Sequence, residues 1–384
     1  MNLLAKISNV LSIEHRGYLQ GILFGDWLRL ILKNPGSLGL RYWKRTASVT
    51  LGSVLNSILH LHESVRFDES VREVKCHPPV FILGLWRSGT THLHNLFSQD
   101  DRFAYPNYIQ MMNPHTFLTA EGFMSRLMAP SIPQTRGIDN VKMGSNLPEE
   151  DEFALLALSL HSCYLDAPFP HNTQFYSRYR TFRRASRAEV KRWKLALKFF
   201  VQKLTFKYDK PMVLKSPAHT GRVRMILDVF PDAKFVYIHR NPFEVFQSFT
   251  NLIKITAPIL TSQSVQSNPD YTPFVIDSIK ELNNAYYEDR DLIPKGNLIE
   301  LTYERLTEDT LGQLNAIYES LGLPKFGEAE PALRSYLNSI ASYKKNALPM
   351  VSVEIRSKLE REWSQYIKEW EQAAESNHLC LNEG

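Results

Sequence analysis

Two short stretches of this chain carry the residue types that hold anions. The first reads Gly84-Leu85-Trp86-Arg87-Ser88-Gly89-Thr90-Thr91, after an apolar run at 79–85 and ahead of a helical pattern at 90–98. In such a loop the backbone N–H groups and the start of the helix face a bound phosphate or sulfonate. The G-x-x-x-x-G spacing is that of a nucleoside-triphosphate loop, yet Thr90 stands where that loop requires Lys. The cation here comes earlier, at Arg87, with Ser88, Gly89, Thr90 and Thr91 completing the cradle. The second stretch is Arg240-Asn241-Pro242, at the end of the apolar run 234–239, followed by Ser248 in the next helical pattern. A guanidinium forks onto two phosphate oxygens, and a hydroxyl can complete the cage. A further cation, Lys215, ends the apolar run 212–215, which would bring its ammonium to the sheet edge where open α/β sheets bind ligands. Taken singly, each has a plainer reading: a capped turn, a surface Arg, a snorkelling Lys.

The elements that must position these residues are few. Continuous apolar runs at 79–85, 212–215, 234–239 and 298–302 read as buried parallel strands, and helical patterns follow at 90–98, 219–229, 243–255 and 304–321. Repeated strand–helix units imply a parallel sheet with helices on both faces. The chain therefore reads as α/β, with a domain over 76–350, an N-terminal helical region over 1–75 and a C-terminal helix within 351–384. Inside the domain, residues 99–210 form a Pro-punctuated, aromatic and largely helical insertion, with helices expected at 149–161 and 183–208.

Composition narrows the class. The chain has 384 residues, 43% hydrophobic and 22% charged, which excludes a disordered or collagen-like chain. Its 45 Lys+Arg against 40 Asp+Glu give +5, a mild excess that suits an anionic ligand and not a nucleic-acid coat. Cys76, Cys163 and Cys380 are too few and too far apart for a disulfide framework or a Cys-rich zinc site, and no metal-ligand spacing is seen. The N-terminus lacks the pattern of a secretory leader, so a cytoplasmic location is expected. Leu19, Ile22, Leu23, Trp27, Leu30 and Ile31 recur at helical spacing over 19–32, interrupted by Asp26 and Arg29 and too short to span a bilayer. That segment is either a helix packed on the core or one lying on a membrane surface, which leaves peripheral membrane contact open.

Residues 79–84 followed by Arg87-Ser88-Gly89-Thr90-Thr91 resemble the 5′-phosphosulfate loop of the sulfotransferase family, in the variant with Arg that tyrosylprotein and many bacterial members carry. Arg240 with Ser248 resembles the family's 3′-phosphate site. The resemblance implies a single P-loop-like α/β domain and 3′-phosphoadenosine 5′-phosphosulfate (PAPS) as co-substrate, with no metal. It implies that Tyr303 borders the adenine, that Lys344 and Lys345 reach the 3′-phosphate, and that Lys215 bridges the leaving oxygen. His92 stands where cytosolic members have an adenine-stacking Trp. Sulfuryl transfer is an in-line displacement that needs cations on the developing charge and a base for the acceptor proton. Cytosolic members place a His two residues after the Lys, where this chain has Pro217. The base candidates are then Glu150 and Glu152, in the acidic run 149–152 of the insertion, and His219. The same acidic run equally serves a helix dipole.

The acceptor expected is a hydroxyl of a carbohydrate, glycolipid or small metabolite. Tyr164, Phe169, Phe175, Tyr176, Tyr179, Phe182, Arg183 and Arg184 of the insertion would form its pocket. The alternatives are a P-loop-type small-molecule kinase and a catalytically inactive nucleotide-binding module. Thr90 and the lack of an Asp closing a second apolar strand weigh against the kinase; Arg87, Lys215, Arg240 and Ser248 standing together weigh against the inactive module.

Overall fold

The computed structural model describes residues 17–36, 42–136, 141–264, 268–341 and 350–379, without the side chains of Ser131 and 376–379. In chain order run α1 (Phe24–Lys33), α2 (Trp43–Glu73), β1 (Val80–Leu83), α3 (Thr90–Phe97), α4 (Glu152–Ser159), α5 (Arg187–Tyr208), β2 (Val213–Lys215), β3 (Lys234–His239), α6 (Pro242–Leu260), α7 (Thr272–Asp289), β4 (Leu298–Thr302) and α8 (Tyr303–Glu308), among shorter pieces. The chain divides into two compact units. One gathers residues 1–77, 105–210 and 254–269, and the other 78–104, 211–253 and 270–384.

The second unit holds the sheet. Its four strands are parallel, in the order β2-β1-β3-β4. The fold is α/β with a central parallel sheet among helices, as the strand–helix repeats require. The register fixes the carboxyl edge: Ile82 pairs with Lys215, Leu83 with Tyr237, and His239 with Thr302. β1 is buried along its whole length. One apolar cluster joins Val80, Ile82, Leu93, Phe97, Val236 and Ile238 to Leu314 and Ile317. Another joins Leu85, Val245, Phe249 and Ile279 to Leu359 and Trp363.

The unit with the chain's N-terminal part is helical. α2 packs on α1 and α5: Trp27 Nε1 donates to Thr50 Oγ1 at 2.9 Å, and Gln202 donates to the carbonyls of Arg72 and Val74. The segment expected to be helical from residue 19 begins its α-helix only at Phe24, after a 3-10 turn at Gly17–Leu19. Trp27 and Leu30 are buried as the spacing predicts. Other boundaries move for local reasons. The helix expected at 183–208 starts at Arg187, because Ser186 and Glu189 form a capping box. The helix expected over 304–321 breaks where the Asp309 side chain accepts from the Gly312 N–H and starts a second helix. The pattern at 219–229 becomes a 3-10 turn, Pro217–Gly221, and a short helix, Val223–Leu227.

One buried ion pair ties three helices of that unit. Lys203 Nζ of α5 donates to Glu63 Oε1 of α2 at 2.5 Å and to the Pro114 carbonyl at 2.6 Å. The other Glu63 oxygen accepts from the Thr119 N–H and hydroxyl, in the helix Phe117–Met128. Both side chains are about as buried as any in the molecule, 2% and 1% exposed. Burial pulls Lys203 below its ordinary value, against the pull of Glu63. Removing one partner strands the other charge, which costs about 3–5 kcal/mol, whereas replacing both by apolar side chains costs far less. Urea unfolding of Glu63→Gln, Lys203→Met and the double variant Glu63→Leu/Lys203→Met should show this non-additivity. A single variant within about 1 kcal/mol of the parent would contradict it.

Candidate functional site

The parallel register brings the sequence-picked cations to one edge. Beyond Leu83 the chain turns through Gly84, at φ 145°, where a Cβ would lie 2.6 Å from Ser88 Oγ and 2.8 Å from Ile238 Cγ2. The Gly84 N–H donates to Thr220 Oγ1, which donates back to the Gly84 carbonyl. Ser88 is buried and returns its N–H and hydroxyl to the Leu85 carbonyl. Arg87 adopts φ 71°, a left-handed conformation rare for a residue with a Cβ. Gly89 follows at φ 102°, and α3 begins at Thr90, so the first-turn N–H groups of α3 open onto the loop.

Arg87 and Ser248 meet. Arg87 Nε donates to Ser248 Oγ at 2.8 Å, and Trp86 stacks on Phe249 with ring centroids 4.8 Å apart and planes 3° from parallel. The loop after β1 is thus fastened to the second turn of α6. Arg240 completes the join: Nη1 donates to the Arg87 carbonyl at 2.6 Å and Nη2 to Glu244 at 2.9 Å. Its guanidinium carbon sits 4.3 Å from the centroid of the Tyr303 ring. Arg240 Nε is buried with no hydrogen-bond partner among the described residues. Asn241 caps α6 by accepting from the N–H groups of Phe243 and Glu244. Lys215, 1% exposed, reaches Thr91 Oγ1 at 3.4 Å.

Of the residues picked from sequence, Arg87, Ser88, Gly89, Thr90, Thr91, Lys215, Arg240, Ser248 and Tyr303 share the carboxyl edge of the sheet. His219 lies in the turn beside them, fully buried, its ring edge-on to Phe81 at 5.4 Å. Glu150 and Glu152 belong to the helical unit. Glu152 is fully buried and accepts from the Ser162 hydroxyl at 2.5 Å. Glu150 is half-buried and accepts from the Tyr164 hydroxyl at 2.8 Å. The Tyr164 ring packs with Tyr18 and Phe153, centroids 5.6 and 5.3 Å away. Burial, then the charge of Glu150, pushes the Tyr164 phenol well above its ordinary value, so it stays a donor to that carboxylate. Lys344 and Lys345 lie outside the described residues. Burial lowers His92, keeping it neutral.

Sequence reasoning missed the groups that hold Arg240. Glu244 follows it at i+4 and was findable from that spacing. Tyr366, which donates to the Arg240 carbonyl at 2.8 Å, had no local signal. Nor did the network behind the strand end, where His239 Nε2 lies 2.7 Å from Glu300 and the Tyr286 hydroxyl donates to the same carboxylate. Burial pushes the Glu300 carboxyl up, but the bonds from His239 and Tyr286 and the charge of Arg290 outweigh it and hold it below its usual range.

Comparison with known proteins places this architecture. The fold matches the crystal structures of sulfotransferase STF9 from Mycobacterium avium (TM-score 0.67, 18% identity, 84% of this chain and 85% of that one) and sulfotransferase STF1 from Mycobacterium tuberculosis H37Rv (TM-score 0.58, 21% identity, 82% and 86%). The chain therefore has the P-loop-like α/β fold of these two structures. The sequence profile described as "Sulfotransferase family" matches residues 78–328. The omega-hydroxy-beta-dihydromenaquinone-9 sulfotransferases Stf3 of Mycobacterium bovis and M. tuberculosis are each 34% identical over 350 residues, 90% of this chain and 89% of theirs. The chain belongs to the sulfotransferase family and is an enzyme of that class.

Two variants probe the edge. A Cβ on Gly89 would fall 2.2 Å from the Tyr303 ring, so Gly89→Ala should displace that ring and the loop; a crystal structure or melting curve indistinguishable from the parent would refute the close packing. Glu300, with its depressed pKa, stabilises the fold fully above the ordinary carboxylate range and loses that contribution as pH falls through and below it. The stability gap between the parent and Glu300→Gln should close on acidification, read by chemical unfolding at stepped pH; a gap independent of pH counts against the network.

Proposed function

We propose that the enzyme transfers the sulfuryl group of PAPS to a hydroxyl carried on a lipid. The observation that carries the donor half is the linkage of Arg240 to the Arg87 carbonyl and of Arg87 to Ser248, with Lys215 on the neighbouring strand. In this reading the loop amides, Arg87 and Lys215 hold the sulfonate and the 5′-phosphate. Arg240 and Ser248 take the 3′-phosphate. Because Ser248 accepts from Arg87, its own O–H is left to donate to an anionic oxygen. Tyr303 lies against the adenine. The acceptor oxygen attacks sulfur, the bond from sulfur to the bridging oxygen breaks, and the electron pair leaves on the 5′-phosphate, where Lys215 offsets the charge. No step calls for a metal.

The acceptor half rests on the relatives, which are named for an omega-hydroxy-beta-dihydromenaquinone-9, a hydroxylated lipid quinone. In this reading the aromatic group of Tyr18, Phe153 and Tyr164 beside Glu150 packs against the apolar part of the acceptor. Among the three base candidates Glu150 is favoured, because Glu152 and His219 are fully buried while Glu150 retains access to solvent.

The first test is melting with 3′-phosphoadenosine 5′-phosphate against ATP with magnesium. At 100 times its dissociation constant a ligand adds about 2.7 kcal/mol to the native state. A shift with the bisphosphate alone, lost in Arg240→Ala, is expected; a shift with ATP alone would overturn the donor assignment. With a hydroxylated lipid quinone as acceptor, Lys215→Met should lower kcat about 10²–10³-fold and also weaken binding of the bisphosphate, whose 5′-phosphate Lys215 holds in this reading. Glu150→Gln should lower kcat about 10²-fold or more. Activity on simple sugars but on no hydroxylated lipid would send the acceptor assignment back to carbohydrates.

A further inference from the structure

The outer face of α2 is apolar and exposed over most of its length. Leu51, Val54, Ile58, Leu61 and Val65 are 60%, 40%, 63%, 67% and 80% exposed, at alternating three- and four-residue spacing. That spacing keeps them on one stripe of the helix. Trp43, 59% exposed, stands at its start. α1 runs antiparallel alongside, with the Phe24 N–H on Ser57 Oγ and Trp27 on Thr50, and adds exposed Leu28 and Leu32. At the Trp43 end, Arg45 donates to the Ile259, Leu260 and Thr261 carbonyls that finish α6, which adds exposed Ile255 and Ile259. A contiguous apolar surface of this extent marks a docking face rather than ordinary scatter.

The charges around the stripe decide what docks. Between Trp43 and Val65 the exposed charged residue of α2 is Lys44, and Arg66 follows Val65 directly. The carboxylate of that stretch, Glu63, is turned inward onto Lys203. Exposed Glu69 and Glu73 lie past the apolar stretch. α5, packed on α2, shows Lys191, Arg192 and Lys198 to solvent around exposed Leu195, and α1 ends in exposed Lys33. Asp26 of α1, which feels both Arg192 of α5 and His60 of α2, is bonded to Arg29. The rim is cationic. A second copy of this chain would set like charges against one another, whereas an anionic lipid surface is attracted by the rim and takes up the stripe.

We infer that the α1–α2 face docks the enzyme on anionic membranes, with α2 lying flat in the interface. The exposed stretch is about 35 Å long at 1.5 Å per residue, and among the described residues no helix is long and apolar enough to cross a membrane. The inference does not depend on the acceptor's identity.

Flotation of the full chain with vesicles of equimolar phosphatidylcholine and phosphatidylglycerol tests it. The chain should float with these vesicles and bind at least tenfold less to phosphatidylcholine alone. Ile58→Glu/Leu61→Glu should lose tenfold or more of the anionic-vesicle binding at an unchanged melting temperature. Ile58→Ser/Leu61→Ser repeats the test should the charged pair unfold. Lys191→Ser/Lys198→Ser should weaken binding at low salt and matter less at high salt. No flotation, flotation indifferent to the stripe, or a solution dimer that Ile58→Glu/Leu61→Glu turns into monomers without any vesicle binding would overturn the inference.

Discussion

The hydrogen bond from Arg240 to the Arg87 carbonyl is the contact on which the sheet's carboxyl edge depends. It joins the loop after β1 to the end of β3, and it exists because Leu83 pairs with Tyr237 in the parallel register. A one-residue slip of β3 would turn its side chains to the opposite face and carry Arg240 away from the loop. The bond also spends a guanidinium donor on a backbone carbonyl, which orients the remaining edge of Arg240. With Glu244 on Nη2 and Tyr303 beneath the plane, the side chain has little rotational freedom left. A cation fixed in advance does not have to be ordered when a phosphate arrives, and that is how binding energy is conserved for the ligand.

Around that bond the structure is built in shells of decreasing locality. Strand pairing sets the height of Lys215 and Tyr303, since Lys215 faces Ile82 and Thr302 faces His239. Aromatic stacking of Trp86 on Phe249 then holds the loop to α6. Farther out, Tyr366 ties the Arg240 carbonyl, and Glu300 gathers His239, Tyr286 and Arg290 behind the strand. Each layer is within hydrogen-bonding or van der Waals reach of the next, so the position of a charge at the edge reflects packing several residues away.

How much of this was readable from the chain alone follows the same gradient. The four strands were legible because a buried parallel strand is a continuous apolar run with few other interpretations at that length. β3 and β4 have the expected limits, and β1 is trimmed to Val80–Leu83, because Pro79 has no N–H to donate and Gly84 turns away at φ 145°. The loop and Arg240 were legible because anion binding needs particular residue types next to a strand end. Tyr366 and Glu300 were not: Tyr366 meets Arg240 across 126 residues of sequence and Glu300 meets His239 across 61, which no local pattern encodes. The break at Asp309 was hidden for the opposite reason, since one side-chain cap outcompeted a helical pattern that ran through it. The α2 stripe was overlooked because helical periodicity reports that a face is apolar, not whether the fold covers it.

The left-handed Arg87 has a consequence for how this enzyme can be altered. A residue with a Cβ pays about 1 kcal/mol to sit there, and glycine does not. Backbone comfort and anion chemistry thus favour different residues at a single position. Selection for heat resistance, blind to turnover, will drift toward glycine at 87, while selection for turnover will hold the arginine and leave the loop under tension.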